Sequence, residues 1–231
     1  RTETLKLMLA GLLIMSIILL ANLRSFPSVG MILLVIIMSM LSMIGFLGWI
    51  YHFTGSARFI FTFVNSSMLI VLLTIANSDG VHIMSRFFRE ARKHKDVKQS
   101  ITLTMNQLLL PIFLTSITTS AAFLTMLTSP IPAMAGYGLS VGFGILWAWI
   151  LSSIFLPSLI NIKKWDFSTV ALTKSSFLEN MVHIFGRNII KRPKIILLSG
   201  ILIVLISSLG IRYINVEVNL VNLFKPGNTI R

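Results

Sequence analysis

Apolar residues in this chain gather into six long runs, separated by shorter polar or charged links. The runs cover residues 5–21, 29–53, 59–85, 101–127, 133–160 and 194–211. A helix needs about 20 mostly apolar residues to cross the hydrocarbon core of a bilayer. The pattern therefore predicts an all-α integral membrane protein whose core is a bundle of six transmembrane helices.

The links divide the chain into four predicted parts. Residues 1–160 form a five-span membrane core, 161–193 a link and 194–212 a sixth span. Within the link, apolar positions recur at helical spacing between 177 and 189. This predicts an amphipathic helix, lying either on the cytoplasmic membrane surface or packed under the bundle. Residues 213–219 alternate as a strand does, so 213–231 is predicted to begin an exterior α/β domain.

The composition supports a membrane protein and gives no sign of an enzyme. Of 231 residues, 55% are hydrophobic and 12% are charged, and the mean hydropathy is +0.87, which is too apolar for a soluble domain. The chain has no Cys, which excludes disulfides and thiolate metal sites. It also has no phosphate-binding Gly-Lys-Ser loop, paired-His motif or nucleophile elbow. No catalytic residue, metal or cofactor is predicted.

Basic residues predict the orientation of the chain. There are 20 Lys and Arg against 7 Asp and Glu, and most lie in the links after the third and fifth spans. The links on the opposite side carry only Arg58. Short Lys- and Arg-rich links face the cytoplasm, where anionic headgroups also attract them, so nucleic acid is not needed to explain the charge. Both ends of the chain then lie outside, and we expect the chain to belong to a longer polypeptide.

One acid lies inside the apolar runs. Asp79 is the only Asp or Glu within any of them, and an ionised carboxylate in hydrocarbon is costly unless it finds a partner or a polar interior. His82 follows three residues later, on the same face of a helix. A carboxyl and an imidazole in such surroundings form a candidate proton relay. The alternatives are that Asp79 caps or joins helices and that His82 lies near the headgroups.

Further polar and small residues could support that site or simply pack the bundle. Candidate relay support comes from Asn77, Thr115, Thr118 and Thr119. Membrane hydroxyls also commonly bond back to their own helix, which is the alternative. In the fifth span, small residues allow helix backbones to approach closely. These helix-packing candidates are Gly136, Gly138, Gly142 and Gly144.

Three segments together resemble a known family. Residues 75–90 contain Asp79-Gly80-Val81-His82 followed by a basic exit, residues 111–119 with Phe123 form a Pro- and Thr-rich helix, and residues 155–159 end a Gly-rich span. In this order they resemble half of the membrane domain of a resistance-nodulation-division (RND) transporter. The likeness is to its MMPL-like, predicted-exporter branch, whose core is shared with sterol-sensing domains.

The resemblance implies a function and a set of partners. The six spans would be the second to seventh of the parent, in a bacterial inner membrane. The activity would be proton-driven export of a hydrophobic or amphiphilic substrate, such as a lipid-like molecule or a drug. Asp79 would carry the proton with His82 as its partner, and the site would need the second half of the same polypeptide. Membrane lipids are expected partners, and homo-oligomers and periplasmic partners stay open. The alternative is a lipid-sensing or scaffolding bundle without transport.

Overall fold

The computed structural model describes residues 2–62, 64–169 and 193–213. The chain divides into two units, Arg1–Glu179 and Asn180–Arg231. The described helices of the first unit are α1 (Thr2–Leu23), α2 (Phe26–Thr54), α3 (Met68–His94), α4 (Val97–Leu124), α5 (Pro132–Ile150) and α6 (Leu156–Ile162). In the second unit, α7 (Pro193–Leu209) leads into a short 3-10 helix, Gly210–Tyr213.

All six predicted spans coincide with helices, which confirms the all-α membrane class. Among the described residues, four helical segments are long and apolar enough to cross a bilayer: Phe26–Thr54, Asn65–His94, Val97–Thr128 and Pro132–Ile162. The described apolar parts of the outer helices, Leu9–Leu23 and Ile196–Leu209, are shorter. The predicted amphipathic helix and the residues beyond 213 lie outside the described part of the chain. Tyr213 itself ends a 3-10 helix, where we had expected a strand to begin.

The third span differs from its predicted bounds at both ends. Before α3 come two 3-10 turns, Ala57–Phe59 and Val64–Ser67. Polar side chains here compete for backbone partners, as short polar residues do near helix starts. At the other end, α3 continues past residue 85 through the basic segment to His94. Lys and Arg form helices well and are favoured near a helix C-terminus, where the helix dipole is negative.

Local chemistry fixes the turns between the helices. Gly55 adopts φ 60° after α2 and donates its N–H to the Tyr51 carbonyl, as a glycine C-cap does. Lys95 takes the same left-handed conformation after α3. Asp96 then caps α4, because its side chain accepts from the N–H groups of Lys98 and Gln99. A very short turn therefore joins α3 to α4, and we call this end of the first unit the basic end.

The core of the first unit lies around α5, which packs against α2, α3 and α4. Its largest fully buried side chains include Ile32, Met43, Phe87 and Ile145. At the basic end, Trp165 folds back after α6 and packs against the rings of Phe87 and Phe88, with centroids 5.2 and 5.7 Å away. Its indole N–H donates to the carbonyl of residue 160 at 2.9 Å. The start of the link is thereby held on α3.

A π-helical turn, Leu151–Phe155, separates α5 from α6. Pro157 follows in the first turn of α6. A π-turn inserts one residue into the helical repeat, and such turns are frequent at functional sites. The predicted fifth span is therefore a helix with an irregular turn inside it.

Candidate functional site

Asp79 is buried in the middle of α3, with 6% of its surface exposed. The next residue, Gly80, lets α3 approach α2 closely, because a Cβ there would lie 3.1 Å from Cγ2 of Ile32. On its other side, Asp79 Oδ2 accepts a hydrogen bond from the Ser116 hydroxyl of α4 at 3.4 Å. That distance makes the bond weak. α3 thus packs closely on α2 at Gly80, and among the described residues the hydrogen-bond partner of the Asp79 carboxyl group is Ser116 of α4.

A groove of about 330 Å³ lies beside this carboxyl group. Its lining residues are Thr74, Ile75, Ser78, Asp79, Thr115, Ser116 and Thr119. Five of the seven lining residues carry a hydroxyl group. Such a space has room for water and offers the two to four polar partners that an ordered water molecule needs. The buried acid therefore faces a groove on the α3–α4 face that has both hydroxyl groups and apolar surface in its lining.

His82 lies in a different setting from Asp79. It is exposed, whereas Asp79 is buried, and no hydrogen bond or ion pair joins the two in the described part of the chain. Three residues correspond to a rotation of about 300° around a helix, so a shared face does not ensure contact. The relay role of His82 stays a prediction. Asn77 is half-buried, its Oδ1 has no partner among the described residues, and it does not line the groove.

The three predicted threonines bond back to their own helix. Thr115 donates to the Ile112 carbonyl at 2.9 Å, and Thr119 donates to the Thr115 carbonyl at 2.7 Å. Thr118 donates to the Leu114 carbonyl at 2.7 Å and points away from the groove. The hydroxyl hydrogens are thus occupied, while the oxygens of Thr115 and Thr119 can still accept in the groove.

Ser116 is the site residue that sequence reasoning missed. It lies between the predicted threonines but is almost fully buried, with 3% exposure, and it alone of the α4 hydroxyls donates to Asp79. A signal existed in the sequence. Small hydroxyl residues recur along α4 at multiples of four, and this spacing marks one helix face. The buried members are Ser100, Thr104, Ser116 and Ser120.

The four predicted glycines lie where neighbouring atoms leave no room for a side chain. A Cβ at Gly136 would lie 2.5 Å from the Arg58 carbonyl oxygen, and one at Gly144 would lie 2.9 Å from Met43 Sδ. A Cβ at Gly138 would meet the Phe123 carbonyl oxygen, and a Cβ at Gly142 would lie 3.0 Å from Leu124 Cγ. These positions bring α5 close to its neighbours.

Interhelical hydrogen bonding accompanies this close packing. The Ser120 hydroxyl of α4 donates to the Gly142 carbonyl of α5 at 2.8 Å. The bond is possible because a glycine leaves its carbonyl open to a neighbouring helix. It fixes the register of the two antiparallel helices.

A second acidic group, which sequence reasoning did not single out, lies at the basic end. Glu90 is 4% exposed. Its Oε1 lies 2.9 Å from Arg86 Nη2, and Lys93 and His94 lie within 4 Å of its carboxylate. The spacing of Arg86 and Glu90 by four residues was the available signal. Across the described residues, no group of three or more His, Cys, Asp or Glu could hold a metal.

These features define a class: a multi-pass helical membrane protein with a buried acid beside a groove that several hydroxyl groups line. The chain belongs to the MMPL family, whose profile matches residues 1–196. This confirms the family resemblance read from the sequence. Members of the family are transporters rather than enzymes.

Individual relatives match shorter stretches. The chain is similar to protein dispatched homolog 1 of Homo sapiens, with 27% identity over 113 residues, which cover 48% of this chain and 7% of the relative. It is also similar to membrane protein MJ1562 of Methanocaldococcus jannaschii, with 28% identity over 94 residues, 41% of this chain and 24% of the relative. The chain thus spans only a small part of the length of these relatives.

Proposed function

We propose that this chain is part of an RND-type permease that exports a hydrophobic or amphiphilic substrate, driven by the proton-motive force. The observation that carries the proposal is the burial of Asp79 beside a groove lined with hydroxyls. Membership of the MMPL family supports transport as the activity. We place the protein in a bacterial inner membrane with the basic end in the cytoplasm.

The coupling follows from the cost of charge in a membrane. A carboxylate at this depth is expensive when ionised and inexpensive when neutral. Binding a proton therefore changes which packing of α3 is favoured. One proton crossing about 100 mV supplies about 2.3 kcal/mol, enough to bias a two-state element. The groove hydroxyls, with Thr115 and Thr119 as acceptors, are the route by which the proton reaches Asp79.

The substrate and the remaining partners belong to the same proposal. An apolar bundle exposed to lipid suits a molecule that partitions into the membrane, such as a lipid-like compound or a drug. The second half of the same polypeptide would complete the site around Asp79 and His82. Periplasmic partners and a homo-oligomer are compatible with this arrangement.

The test is proton-coupled efflux by the full-length protein in vesicles, comparing Asp79 with Asp79→Asn. The substitution keeps the shape and removes the titratable group, so transport should be lost while the protein still inserts. Asp166→Asn is the matched control, since this exposed acid lies outside the membrane spans. Unchanged efflux in Asp79→Asn refutes the proposal.

A second candidate function rests on the hydrogen bond from Ser116 to Asp79. If Asp79 joins α3 to α4 structurally, the bundle can act as a lipid sensor or scaffold without transport. Asn at position 79 would preserve that bond, because its amide oxygen accepts as a carboxylate does. This candidate is favoured if the Asp79→Asn variant responds to lipids as the unsubstituted protein does. The unsubstituted protein should then also carry no proton flux.

A further inference from the structure

Two fully buried residues on the basic-end side of Asp79 carry hydroxyl groups without a partner among the described residues. They are Ser152, in the π-helical turn, and Thr104, on α4. The hydroxyl of half-buried Ser153, in the same turn, also has no partner among the described residues. A buried hydroxyl without a hydrogen bond costs about 1–3 kcal/mol. Two such groups in one part of the bundle therefore need an explanation.

Helix register shows where these hydroxyls lie along the bundle. The bond from Ser120 to Gly142 aligns α4 with antiparallel α5. Ser152 then lies roughly 9 Å nearer the basic end than the Ser116–Asp79 pair. Thr104 lies roughly 18 Å from Ser116 in the same direction. The two hydroxyls follow one another from the acid toward the predicted cytoplasmic side.

The packing around Thr104, the hydroxyl farther from the acid, is closed in this structure. Around Thr104, the side chains of α3, α4 and α6 leave no space for a water molecule. The residues that close it are Ile83, Phe87, Ile101, Thr104, Met105, Pro157 and Ile160. On the other side of the acid lies the groove of about 330 Å³. Asp79 is thus accessible from the groove, whereas the packing around Thr104, nearer the basic end, has no room for water.

An irregular helical turn lies next to this closed packing. The π-turn Leu151–Phe155 precedes α6, which contributes Pro157 and Ile160 to the closed packing. A π-turn carries weaker and less regular backbone bonding than an α-helix, and Pro157 donates no backbone N–H. The turn can therefore bend while α5 stays fixed by its close contacts with α4. Bending there would move α6 away from Phe87 and Thr104.

We propose that α6 is a gate on the cytoplasmic side of Asp79, hinged at the π-turn and lined, when open, by the hydroxyls of Ser152 and Thr104. This inference rests on the proposed proton-driven function. Closing the gate buries apolar surface but leaves the two hydroxyls without hydrogen-bond partners. Opening it lets water bind to them. These opposing contributions keep the two states close in free energy, as a gate requires.

The acid provides the control of the gate. The groups that line the groove with Asp79 are the hydroxyls of α3 and α4 and the apolar side chain of Ile75. In the described part of the chain, no charged side chain forms an ion pair with Asp79. A proton that enters from outside must leave toward the cytoplasm, so the gate opens when Asp79 is neutral.

Cysteine accessibility tests the gate without measuring transport. The chain has no native Cys, so Ser152→Cys introduces the one thiol in this region of the full-length protein. A small cationic methanethiosulfonate is applied to the cytoplasmic face of membrane vesicles. Unmodified thiols are then counted by a mass-tagged maleimide after denaturation. Ser140→Cys is the matched control, because Ser140 is also fully buried and its hydroxyl has no partner within the described ranges. It lies roughly 9 Å on the other side of the Ser116–Asp79 pair.

We expect Ser152→Cys to react roughly tenfold faster when Asp79→Asn is also present, whereas Ser140→Cys changes little. Thr104→Cys provides a second position with the same expected response, should Ser152→Cys disturb folding. The proposed gate is refuted if the thiol of Ser152→Cys is modified at the same rate with and without Asp79→Asn. It is also refuted if this thiol is protected as strongly as that of Ser140→Cys. Neither result depends on efflux, so the proposed function is judged separately by Asp79→Asn alone.

Discussion

Replacing Gly138 by alanine is expected to destabilise the contact between α4 and α5. The new Cβ would meet the Phe123 carbonyl oxygen and lie 2.6 Å from Met126 Cβ. Carbon atoms prefer separations of about 3.5–4.0 Å, so the helices must move apart by roughly 1 Å. A backbone carbonyl cannot rotate out of the way, as a flexible side chain could.

The expected cost follows from two opposing effects. Overpacking a close contact costs about 1–3 kcal/mol, and a backbone obstacle places this substitution at the upper end. Alanine in place of glycine recovers at most about 1 kcal/mol of helix propensity. The net loss in free energy of unfolding is therefore about 2 kcal/mol. Gly142→Ala should lose less, because its nearest neighbour is the Leu124 side chain.

The assay is thermal unfolding of the detergent-solubilised protein, with Gly45→Ala as the control. Gly45 lies on α2, and a Cβ there would meet nothing within 4 Å. Both variants gain the same helix propensity, so only Gly138→Ala carries the clash. We expect a lower midpoint for Gly138→Ala and an unchanged or higher one for Gly45→Ala. If both midpoints move equally, the close-contact argument is refuted.

Two further predictions concern hydrogen bonds. Ser120→Ala should lower the free energy of unfolding in detergent by about 0.6–1.5 kcal/mol through loss of the bond to Gly142. Ser16→Ala, which removes only a bond within its own helix, should cost less, and equal losses would contradict the assignment. The backbone N–H and hydroxyl of Ser168 hold the pKa of Asp166 below its ordinary value of 3.8. This turn should thus persist at neutral pH and loosen only as the pH falls through that lowered pKa, and an NMR titration midpoint at or above 3.8 would contradict it.

Hydropathy predicted the spans because the need to bury apolar surface in lipid overrides most local detail. It could not place the start of α3, where Asn65 is fully buried and accepts a hydrogen bond from Thr62. Nor could it show the π-turn, since Ser152 and its neighbours carry no distinctive local pattern. These features depend on how neighbouring helices pack, which one chain's periodicity does not report.

The site was predictable in part for a similar reason. A lone acid in an apolar run is conspicuous, so Asp79 could be found without a structure. Which α4 hydroxyl meets it depends on the rotation of α4 about its axis, and this rotation selects Ser116 over Thr115 and Thr119. The rotation of α3 likewise leaves His82 exposed.

The short turn at Lys95 and Asp96 makes α3 and α4 a stiff helical hairpin. Asp79 lies on α3 roughly 24 Å from this turn. Tilting the hairpin about the turn by roughly 5° would therefore displace the acid by roughly 2 Å. Ser116 lies on α4, the other helix of the hairpin, and would move together with Asp79. The hydrogen bond between the two residues would therefore be kept. A small rotation of α3 and α4 about this turn is thereby converted into a displacement of Asp79 that is large enough to change its packing. Because the bond from Ser120 to Gly142 ties α4 to α5, α5 would have to tilt together with these two helices.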